Sequence, residues 1–321
     1  MKIQKFTNKD VIQSYILTTA KYDFSVYEKR IIYRLVEMVQ HTLEGKKLNQ
    51  GFSIERTLYD DRIITMPISA FLADDQDENY TRVKTALRSL RNKTFEYEKG
   101  GLWKLIGIIE KPNFDIAGFA KFELQPEVYE AILDFSKGYR KYELKTAMEF
   151  ESVYSMRFYE LMSGQKTPIE FKIETLKEMF GIADKYKRVN DFLRYVLDVA
   201  KKELDEKSPY SFDYEPKKLG RAFHSILFFP KYNPKNRDTD LEKRELQKQV
   251  SLSWDLPKEV VDYLKHNFEF TTDGIKNNLD LFKKANEELD IIQFLASIKG
   301  RVRESNNPQG YIIGAMRKML Y

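Results

Sequence analysis

The sequence predicts an α+β protein built from two related winged-helix domains and a small helical C-terminal region. The segment YTRVKTALRSLR, residues 80–91, recurs as YKRVNDFLRYVL, residues 186–197, with five identical positions at a constant offset of 106 residues. Around each copy the apolar pattern gives the order strand, helix, helix, strand, wing, strand, with the repeated segment as the last helix before the hairpin. That order describes two pseudo-symmetric winged helices.

Length and composition fit this division. At roughly 100 to 200 residues per domain, a chain of 321 residues predicts two or three domains. We place the N-terminal winged-helix domain at residues 1–138, the second one with its connecting helix at 139–232, and a charged linker with a helical tail at 233–321. Hydrophobic residues make up 42% and charged residues 32%, which predicts buried cores under a charged surface and excludes wholesale disorder.

Charge, cysteine content and the N-terminus exclude several classes. The 54 Lys and Arg against 49 Asp and Glu give a net charge of only +5, so anion binding has to depend on where the cations lie. Cysteine is absent, which excludes disulfides, thiolate nucleophiles and cysteine-ligated metal sites. With no signal-peptide pattern and no long apolar window, we expect a cytoplasmic protein without membrane contact.

In the first half, a helix is predicted from Ser25, a suitable N-cap, with five apolar residues on one face. RIITMPISAFL then predicts a strand leading into a helical turn, and DDQDENY an acidic loop before the first repeated helix, which ends near Asn92. TFEYE and LWKLIGIIEK, separated by a turn at Gly100-Gly101, predict a strand pair, KFELQP predicts a further strand, and residues 126–135 predict a helix. The apolar face of the first helix consists of Ile31, Ile32, Leu35, Val36 and Val39.

The second half begins after the basic stretch KGYRKYELKT. The segment AMEFESVYSMRFYELMSGQK predicts a helix that is apolar nearly all round and therefore buried between two domains. PIEFKI predicts a strand, ETLKEMFG a helix ended by Gly181, and the second repeated helix extends to about Lys207. YSFDYE and AFHSILFF predict the two strands of a wing around the basic tip PKKLGR.

The remainder of the chain predicts a linker and a helical tail. The charged, proline-punctuated stretch from Pro230 favours a linker with an exposed helix, and residues 254–321 favour a small helical region. Within NPQGYIIGAMRKML, residues 307–320, the spacing of the apolar residues favours simple packing. This segment also looks like a C-terminal helix of several replication proteins, which leaves a contact with a second partner or with single-stranded DNA open. The packing residues are Tyr311, Ile312, Met316 and Leu320.

The second repeated helix contains side chains that suit base contacts. Its apolar residues fall at helical spacing and should face the core, which leaves a polar face near its N-terminal end. Arg can bind guanine in a bidentate manner, Asn can do the same for adenine, and Asp can accept from cytosine. The core set is Val189, Phe192, Leu193, Val196, Leu197, Ala200 and Leu204; the outer set is Lys187, Arg188, Asn190, Asp191, Arg194 and Tyr195.

The first repeated helix and the wing offer cations for phosphates. Three cations on a tight turn directly after a helix lie where a wing meets the DNA backbone. For each helix alone, a merely solvated amphipathic surface is the simpler alternative. The candidates on the first helix are Arg82, Lys84, Thr85, Arg88, Arg91 and Lys93, and those on the wing tip are Lys217, Lys218 and Arg221.

Several ordered blocks carry a resemblance. The helix SVYSMRFYELM, the block IETLKEMFGIADKYKRVNDFLRYVLDVAKKELDE and the hairpin YEPKKLGRAFHSILFF resemble the iteron-binding replication initiators of theta-replicating plasmids, and TTAKYDFSVYEKRIIYRLV looks like the opening of that family. The resemblance covers roughly residues 21–230. It implies two winged-helix domains around a pseudo-twofold axis, with the main base readout on the second repeated helix, at Arg188, Asn190, Asp191, Arg194 and Tyr195.

The resemblance also implies partners and a function. Such initiators bind double-stranded DNA at short direct repeats (iterons) of a plasmid origin, open an adjacent AT-rich segment and recruit the host initiator and the replicative helicase. Family members often exchange between a homodimer that represses its own gene and a monomer that initiates replication. The resemblance therefore predicts a non-enzymatic protein that needs no cofactor.

Enzymatic alternatives have little support in the residues. A rolling-circle nickase needs a closely spaced metal-binding His pair, whereas His41, His224 and His266 are far apart in sequence. No P-loop motif occurs. The acidic DDQDE from Asp74 could hold Mg²⁺, although a solvated loop is the simpler interpretation. The alternatives left open are a DNA-binding transcriptional repressor, autoregulatory or not, and, with less support, a primase-like enzyme.

Overall fold

The computed structural model describes residues 8–72, 80–99, 102–115, 117–136, 138–250 and 256–320. The predicted acidic loop, apart from Tyr80, and the predicted Gly100-Gly101 turn lie outside these residues. Within them the chain forms two winged-helix units in tandem, followed by a cluster of helices. The predicted fold class is confirmed.

The first unit contains a four-stranded antiparallel sheet in the order β2-β3-β7-β6. A 3₁₀ turn at Ile68–Phe71 follows the second of these strands, as the sequence predicted. The elements are β1 (Asp10–Ser14), α1 (Tyr15–Thr18), α2 (Val26–Leu43), β2 (Ser53–Arg56), β3 (Arg62–Pro67), α3 (Tyr80–Asn92), β4 (Thr94–Lys99), β5 (Leu102–Gly107), β6 (Glu110–Phe114), β7 (Phe119–Leu124) and α4 (Pro126–Ile132).

Helix α2 begins directly after Ser25, the N-cap that the sequence predicted. The Ser25 hydroxyl accepts a hydrogen bond from the Glu28 amide at 3.3 Å, and the Glu28 carboxylate accepts one from the Ser25 amide at 2.6 Å. This reciprocal pair satisfies two amides that would otherwise lack partners at the helix start. The predicted apolar face is buried. Helix α4 ends at Ile132, three residues earlier than predicted.

The wing of the first unit differs from the prediction. The hairpin directly after α3, β4–β5, forms a separate two-stranded sheet and does not join the main sheet. Besides β2, the strand that pairs with β3 is β7, which also pairs with β6. Since β11 (Ala222–Tyr232) takes the same central place in the second unit, β6–β7 is the topological wing here and β4–β5 is an insertion before it.

The second unit contains a three-stranded antiparallel sheet in the order β10-β11-β9. Gly181 follows the cap residue Phe180 with φ +65°, as a left-handed helix end requires. The elements are β8 (Tyr139–Glu143), α5 (Leu144–Glu149), α6 (Val153–Met162), β9 (Ile169–Lys172), α7 (Ile173–Met179), α8 (Val189–Phe192), a π-helical turn (Leu193–Leu197), α9 (Asp198–Lys207), β10 (Tyr210–Leu219) and β11 (Ala222–Tyr232).

The buried connecting helix is shorter than its sequence segment suggested, because the chain is extended between α5 and α6. Phe150 has ψ 140°, and the Ser152 hydroxyl caps α6 by accepting from the Tyr154 amide at 3.2 Å. The Glu203 carboxylate accepts from the amides of Glu151 and Ser152 at 2.8 and 3.2 Å. These bonds stabilise the break, and α6 beyond it is buried on nearly all sides, as expected.

A two-stranded sheet of β1 and β8 was not predicted from the sequence. Val11 pairs with Tyr142, so the start of the described chain lies against the stretch that had been interpreted only as a basic connection. Arg237 closes this sheet, since its guanidinium pairs with Asp10 at 3.0 Å and with Glu143 at 2.7 Å. The segment after the wing is thereby fixed to the first and second units together.

The C-terminal region is helical, as predicted, and has its own apolar core. That core also includes Phe135, and Lys141 on β8 pairs with Glu259 at 3.1 Å, so the region packs on the connection between the winged-helix units. Ile312 and Met316 are buried, with Tyr311 and Leu320 packed against them. The helices are α10 (Thr239–Val250), α11 (Lys258–Phe268), α12 (Thr272–Lys276), α13 (Leu279–Glu288), α14 (Ile291–Arg303) and α15 (Pro308–Leu320).

A buried cluster of charges joins the two winged-helix units. Lys29 on α2 forms an ion pair with Glu160 on α6, and both side chains are almost fully excluded from solvent. The Arg157 guanidinium lies between the rings of Phe24 and Phe180, and its Nη2 donates to three main-chain carbonyls, those of Thr18, Ala20 and Met179, at 3.2, 2.8 and 2.9 Å. One carboxylate therefore faces two buried cations.

The pKa of Lys29 reflects its burial first and this imbalance second. Burial lowers the pKa of Lys29 to about 8, the charge of Glu160 opposes the change, and the charge of Arg157 adds to it. Between this value and the ordinary value of 10.5, the unfolded chain holds more protons at this lysine than the folded one. Lys29 therefore contributes stability that increases as the pH rises through that interval.

A close approach of main chains reinforces the junction. A Cβ atom built on Gly181 would lie 2.2 Å from the Asp23 amide nitrogen and 2.6 Å from the Tyr22 carbonyl carbon. Both neighbours are backbone atoms, which cannot rotate away as a side chain can. Gly181 therefore permits the contact between the end of α7 and the segment before α2, in addition to providing a left-handed conformation.

We predict that Glu160→Gln destabilises the protein more than Lys29→Met. Loss of the carboxylate leaves two buried cations without an anion and should cost about 3 to 5 kcal/mol. Loss of the lysine leaves Arg157 opposite Glu160 and should cost about 1 kcal/mol, the ordinary cost of a point mutation. Urea titrations give the free energy of unfolding of both variants. Equal losses of this free energy, or a larger loss for Lys29→Met, would show that Glu160 does not serve both Lys29 and Arg157.

The pH dependence provides the matching check on Glu160→Gln. Lys29 can release its proton and so remove one of the two uncompensated charges. The deficit of this variant relative to the parent protein should therefore shrink as the pH rises over the range that ends near 8, the pKa of Lys29 in the parent protein. A deficit that is constant over this range would contradict the assignment.

We also predict that Gly181→Ala is far more harmful than Gly164→Ala. Both glycines have positive φ, +65° and +74°, but a Cβ at Gly164 would meet nothing within 4 Å. Gly164→Ala should cost about 1 to 2 kcal/mol from the backbone alone, and Gly181→Ala at least about 3 kcal/mol because overpacking is added. Similar urea midpoints for the two variants would contradict the proposed close contact.

Candidate nucleic-acid interface

The second repeated segment is only partly helical. We call the continuous helical run of residues 189–207 the second repeat helix, and α3 the first repeat helix. Arg188 is the N-cap of the second repeat helix, and Lys187 precedes it. The prediction that Lys187 and Arg188 lie on the helix is therefore wrong; both are exposed in the approach to its N-terminus.

The late start of this helix has a local cause. Tyr186 has φ +53°, a left-handed conformation that cannot continue into a right-handed helix, and its carbonyl accepts a hydrogen bond from Lys177 Nζ at 2.8 Å. In the first repeat helix, by contrast, the matching Tyr80 is already helical. The two copies therefore present their first basic residues differently.

The outer face of the second repeat helix carries the predicted polar set. Asn190 and Arg194 are exposed and lie four residues apart, so they share one side of the helix. Asp191 is half-buried, and Tyr195 is 48% exposed. Among the described residues, the side chains of Asn190, Asp191 and Arg194 have no hydrogen-bond or ion-pair partner, which leaves them available to a ligand.

The core positions of the second repeat helix follow the prediction closely. Phe192, Val196, Ala200 and Leu204 are fully buried at intervals of four residues, while Val189 and Leu193 are partly buried. A regular α-helix, with 3.6 residues per turn, would rotate this series away from the core. The π turn at Leu193–Leu197 has a wider hydrogen-bonding interval that reduces the drift. Arg194 and Tyr195 lie on this turn.

The second-unit wing has the predicted basic tip. β10 and β11 pair along their length and turn at Gly220-Arg221, where Gly220 has φ +64°. Lys217, Lys218 and Arg221 are exposed. Lys217 pairs with Glu215 at 2.8 Å, and Lys218 lies 5.0 Å from the Phe223 ring centroid. The ion pair of Lys217 is solvent-exposed and therefore weak.

The wing is tied to the second repeat helix by polar contacts. The Tyr214 hydroxyl donates to Asp198 at 2.6 Å, and Lys201 pairs with Asp213 of β10 at 2.8 Å. Burial raises the pKa of Tyr214, and its hydrogen bond to Asp198 raises it further, so the hydroxyl remains a donor at neutral pH. These contacts fix the spacing between the helix and the wing.

The first repeat helix presents cations, but two of the predicted ones are engaged. Arg91 pairs with Glu110 at 2.8 Å, and half-buried Lys93 pairs with Glu28 of the α2 cap. Exposed cations remain at Arg82, Lys84 and Arg88. Lys84 and Arg88 line a groove with Asn113 and Phe114 of β6, at the topological wing. The exposed Thr85 hydroxyl donates to the Thr81 carbonyl at 2.9 Å.

Sequence reasoning missed the residues that fix the interface. Tyr186, Lys177 and Tyr154 hold the approach to the second repeat helix, and the Tyr214–Asp198 pair holds the wing. The available signals were weak. Tyr186 is part of the repeat but was assigned to the helix, and Tyr214 is partly buried on the core side of its strand, where packing alone explains a tyrosine.

Two further features of the described ranges bear on function. No group of three or more His, Cys, Asp or Glu side chains within them is arranged to hold a metal ion. No helix within them is long and apolar enough to cross a membrane.

Comparison with known proteins identifies the fold and the family. A family model described as initiator replication protein, WH1, matches residues 10–163, and one described as initiator Rep protein, WH2, matches residues 172–229. A solved structure, the Pi initiator protein in complex with iteron DNA, is similar with a TM-score of 0.54 and 16% identity, covering 70% of this chain and 97% of that one. At this identity the likeness establishes the fold. Since the two family models together span most of residues 10–229, the chain belongs to the Rep family of replication initiator proteins.

Proposed function

We propose that this protein is a sequence-specific DNA-binding initiator of plasmid replication that binds direct repeats (iterons) of its origin. The observation that carries the proposal is the polar face of the second repeat helix. It exposes Asn190 and Arg194, which have no hydrogen-bond or ion-pair partner among the described residues, and polar contacts hold a wing with a basic tip beside it. The Pi initiator, whose fold is similar, was solved with iteron DNA. Membership of the Rep initiator family supports the same function.

The chemistry of the second unit fits a major-groove reader. Arg194 can donate two hydrogen bonds to a guanine edge, and Asn190 can form a bidentate pair with adenine. Asp191 can accept from cytosine N4. The wing cations, Lys217, Lys218 and Arg221, suit phosphates, which fix the register of the protein without selecting a sequence.

In this proposal the first unit complements the second by contacting the sugar-phosphate backbone of the DNA. Arg82, Lys84 and Arg88 form an exposed cationic face without an acidic partner among the described residues, which favours phosphate contacts over base selection. Two winged helices in one chain can enter the major groove on successive turns of one DNA face. Such a footprint is longer than either unit could provide alone.

We further propose the later steps of initiation. Opening of an AT-rich segment beside the repeats would draw on binding energy and DNA deformation. Host initiator and replicative helicase would then be recruited, and exchange between a homodimer and a monomer would separate autoregulation from initiation. No catalytic step, cofactor or metal enters this proposal, and the place of action is the bacterial cytoplasm.

Fluorescence anisotropy on the repeat DNA of the encoding plasmid and on a shuffled control, across a salt series, tests the proposal. We expect the repeat DNA to bind about a thousandfold more tightly at physiological salt, a factor typical of specific binders. Equal, steeply salt-sensitive binding to both would contradict it. If the protein is only a transcriptional repressor, its sites will not be tandem repeats beside an AT-rich segment.

Arg194→Ala is expected to weaken binding to the repeat DNA by about 1 to 3 kcal/mol while leaving binding to shuffled DNA nearly unchanged. The physical reason is the loss of a base contact that only the correct sequence provides. Arg301→Ala, an exposed arginine on α14, is the matched control and should change neither. Equal losses on both DNAs would assign Arg194 to a phosphate.

Replacing Lys217, Lys218 and Arg221 with Ala should weaken binding to all DNA and lower the slope of log affinity against log salt by up to about 0.9 per lost phosphate contact. The control variant replaces three exposed cations of the C-terminal region, Lys276, Arg301 and Lys318, and so changes the net charge equally. An unchanged slope for the wing variant, or equal slopes for both variants, would remove the wing from the interface.

A further inference from the structure

Three tyrosines form a chain of contacts beside the second repeat helix. The Tyr154 and Tyr186 hydroxyl oxygens lie 3.2 Å apart, within hydrogen-bond distance. The rings of Tyr186 and Tyr195 are stacked, with centroids 6.3 Å apart and planes inclined by 27°. Tyr154 belongs to α6, which also carries Arg157 and Glu160 of the buried cluster. The chain therefore connects the core of the protein to the exposed π turn.

Tyr186 is held in a conformation that bulky residues rarely adopt. Its φ of +53° is unfavourable for a side chain with a Cβ, and such a residue persists only where its surroundings determine it. Here Lys177 binds its carbonyl at 2.8 Å, Tyr154 binds its hydroxyl, and Tyr195 packs on its ring. The conformation places the ring against the π turn.

The outer end of the chain is Arg194. Its guanidinium carbon lies 5.3 Å from the centroid of the Tyr195 ring, a cation–π distance. Among the described residues this ring is the one partner assigned to the Arg194 side chain. Since Arg194 is exposed, its direction depends on where Tyr195 stands.

We propose that Tyr186 is a positioning residue for sequence readout: it fixes the Tyr195 ring, and that ring restrains the Arg194 guanidinium for contact with a base. The inference rests on the proposed function and specifies how its main base reader is oriented. Tyr195 acts as a platform for Arg194 in this arrangement.

The physical gain is preorganisation. An unrestrained arginine side chain loses conformational entropy at several rotatable bonds when it forms a bidentate contact with guanine. A side chain already confined over a ring loses less, so the specific complex gains affinity. A phosphate contact tolerates many arginine conformations and gains little. The restraint should therefore increase discrimination between sequences more than affinity for DNA in general.

The test compares three variants of the full chain on repeat and shuffled DNA. Tyr186→Asn removes the ring but suits the left-handed backbone, since Asn adopts it more readily than other residues with a side chain. Tyr186→Phe keeps the ring and loses only the hydroxyl. Tyr59→Asn, at an exposed turn of the first unit, is the matched control.

We expect Tyr186→Asn to lower the ratio of repeat to shuffled affinity about three- to fivefold. Tyr186→Phe and Tyr59→Asn should retain most of that ratio. An unchanged ratio for Tyr186→Asn would overturn the inference. If the parent protein itself binds repeat and shuffled DNA equally, the proposed function is overturned instead, so the two failures are distinguishable.

A double-mutant cycle separates positioning from general support of the fold. In the Arg194→Ala background, Tyr186→Asn should cause no further loss of discrimination, because the group it positions is gone. An equal loss in both backgrounds would overturn the inference. If Tyr186→Asn does not fold, Tyr195→Leu carries the same test: it should reduce discrimination about three- to fivefold and lose this effect without Arg194.

Discussion

The arrangement of the two winged-helix units depends on one carboxylate shared by two buried cations. Glu160 pairs with Lys29 across the junction and also offsets the charge of Arg157, whose guanidinium binds carbonyls from the segment before α2 and from the end of α7. Buried ion pairs of this kind contribute little net stability, but removal of one partner leaves an uncompensated buried charge and is strongly destabilising. The close backbone contact at Gly181 restricts the same junction sterically. Two winged-helix units joined in this way can bind DNA as one rigid body.

The two units have different surfaces although their helices derive from a repeated segment. The first repeat helix is cationic, and Arg91 on it and Lys93 directly after it form ion pairs with acidic neighbours. The second exposes Asn190 and Arg194, which have no hydrogen-bond or ion-pair partner among the described residues. A π turn and a left-handed tyrosine distinguish the second copy, and its wing is tied down through Tyr214 and Asp198. These features favour nonspecific anchoring by the first unit and sequence readout by the second.

Much of the fold could be predicted from local patterns. The Ser25 cap, the apolar spacing of the second repeat helix and the basic hairpin tip are encoded by neighbouring residues, and each is found where expected. The β1–β8 sheet joins two five-residue strands more than 120 residues apart in sequence, which no local pattern reports. The burial of Lys29 defied the rule that lysines are exposed. One signal existed: Arg157 and Glu160 interrupt a helix that is otherwise apolar nearly all round.

We expect both units to contact one repeat as a single body, and hydroxyl-radical footprinting of the protein on DNA with one repeat tests this arrangement. We predict two protected tracts on one face of the duplex, about one helical turn, or 10 base pairs, apart. Glu160→Gln, which weakens the junction, should reduce protection at the tract bound by the first unit while the other remains. A single protected tract with the parent protein would contradict binding of one repeat by both units.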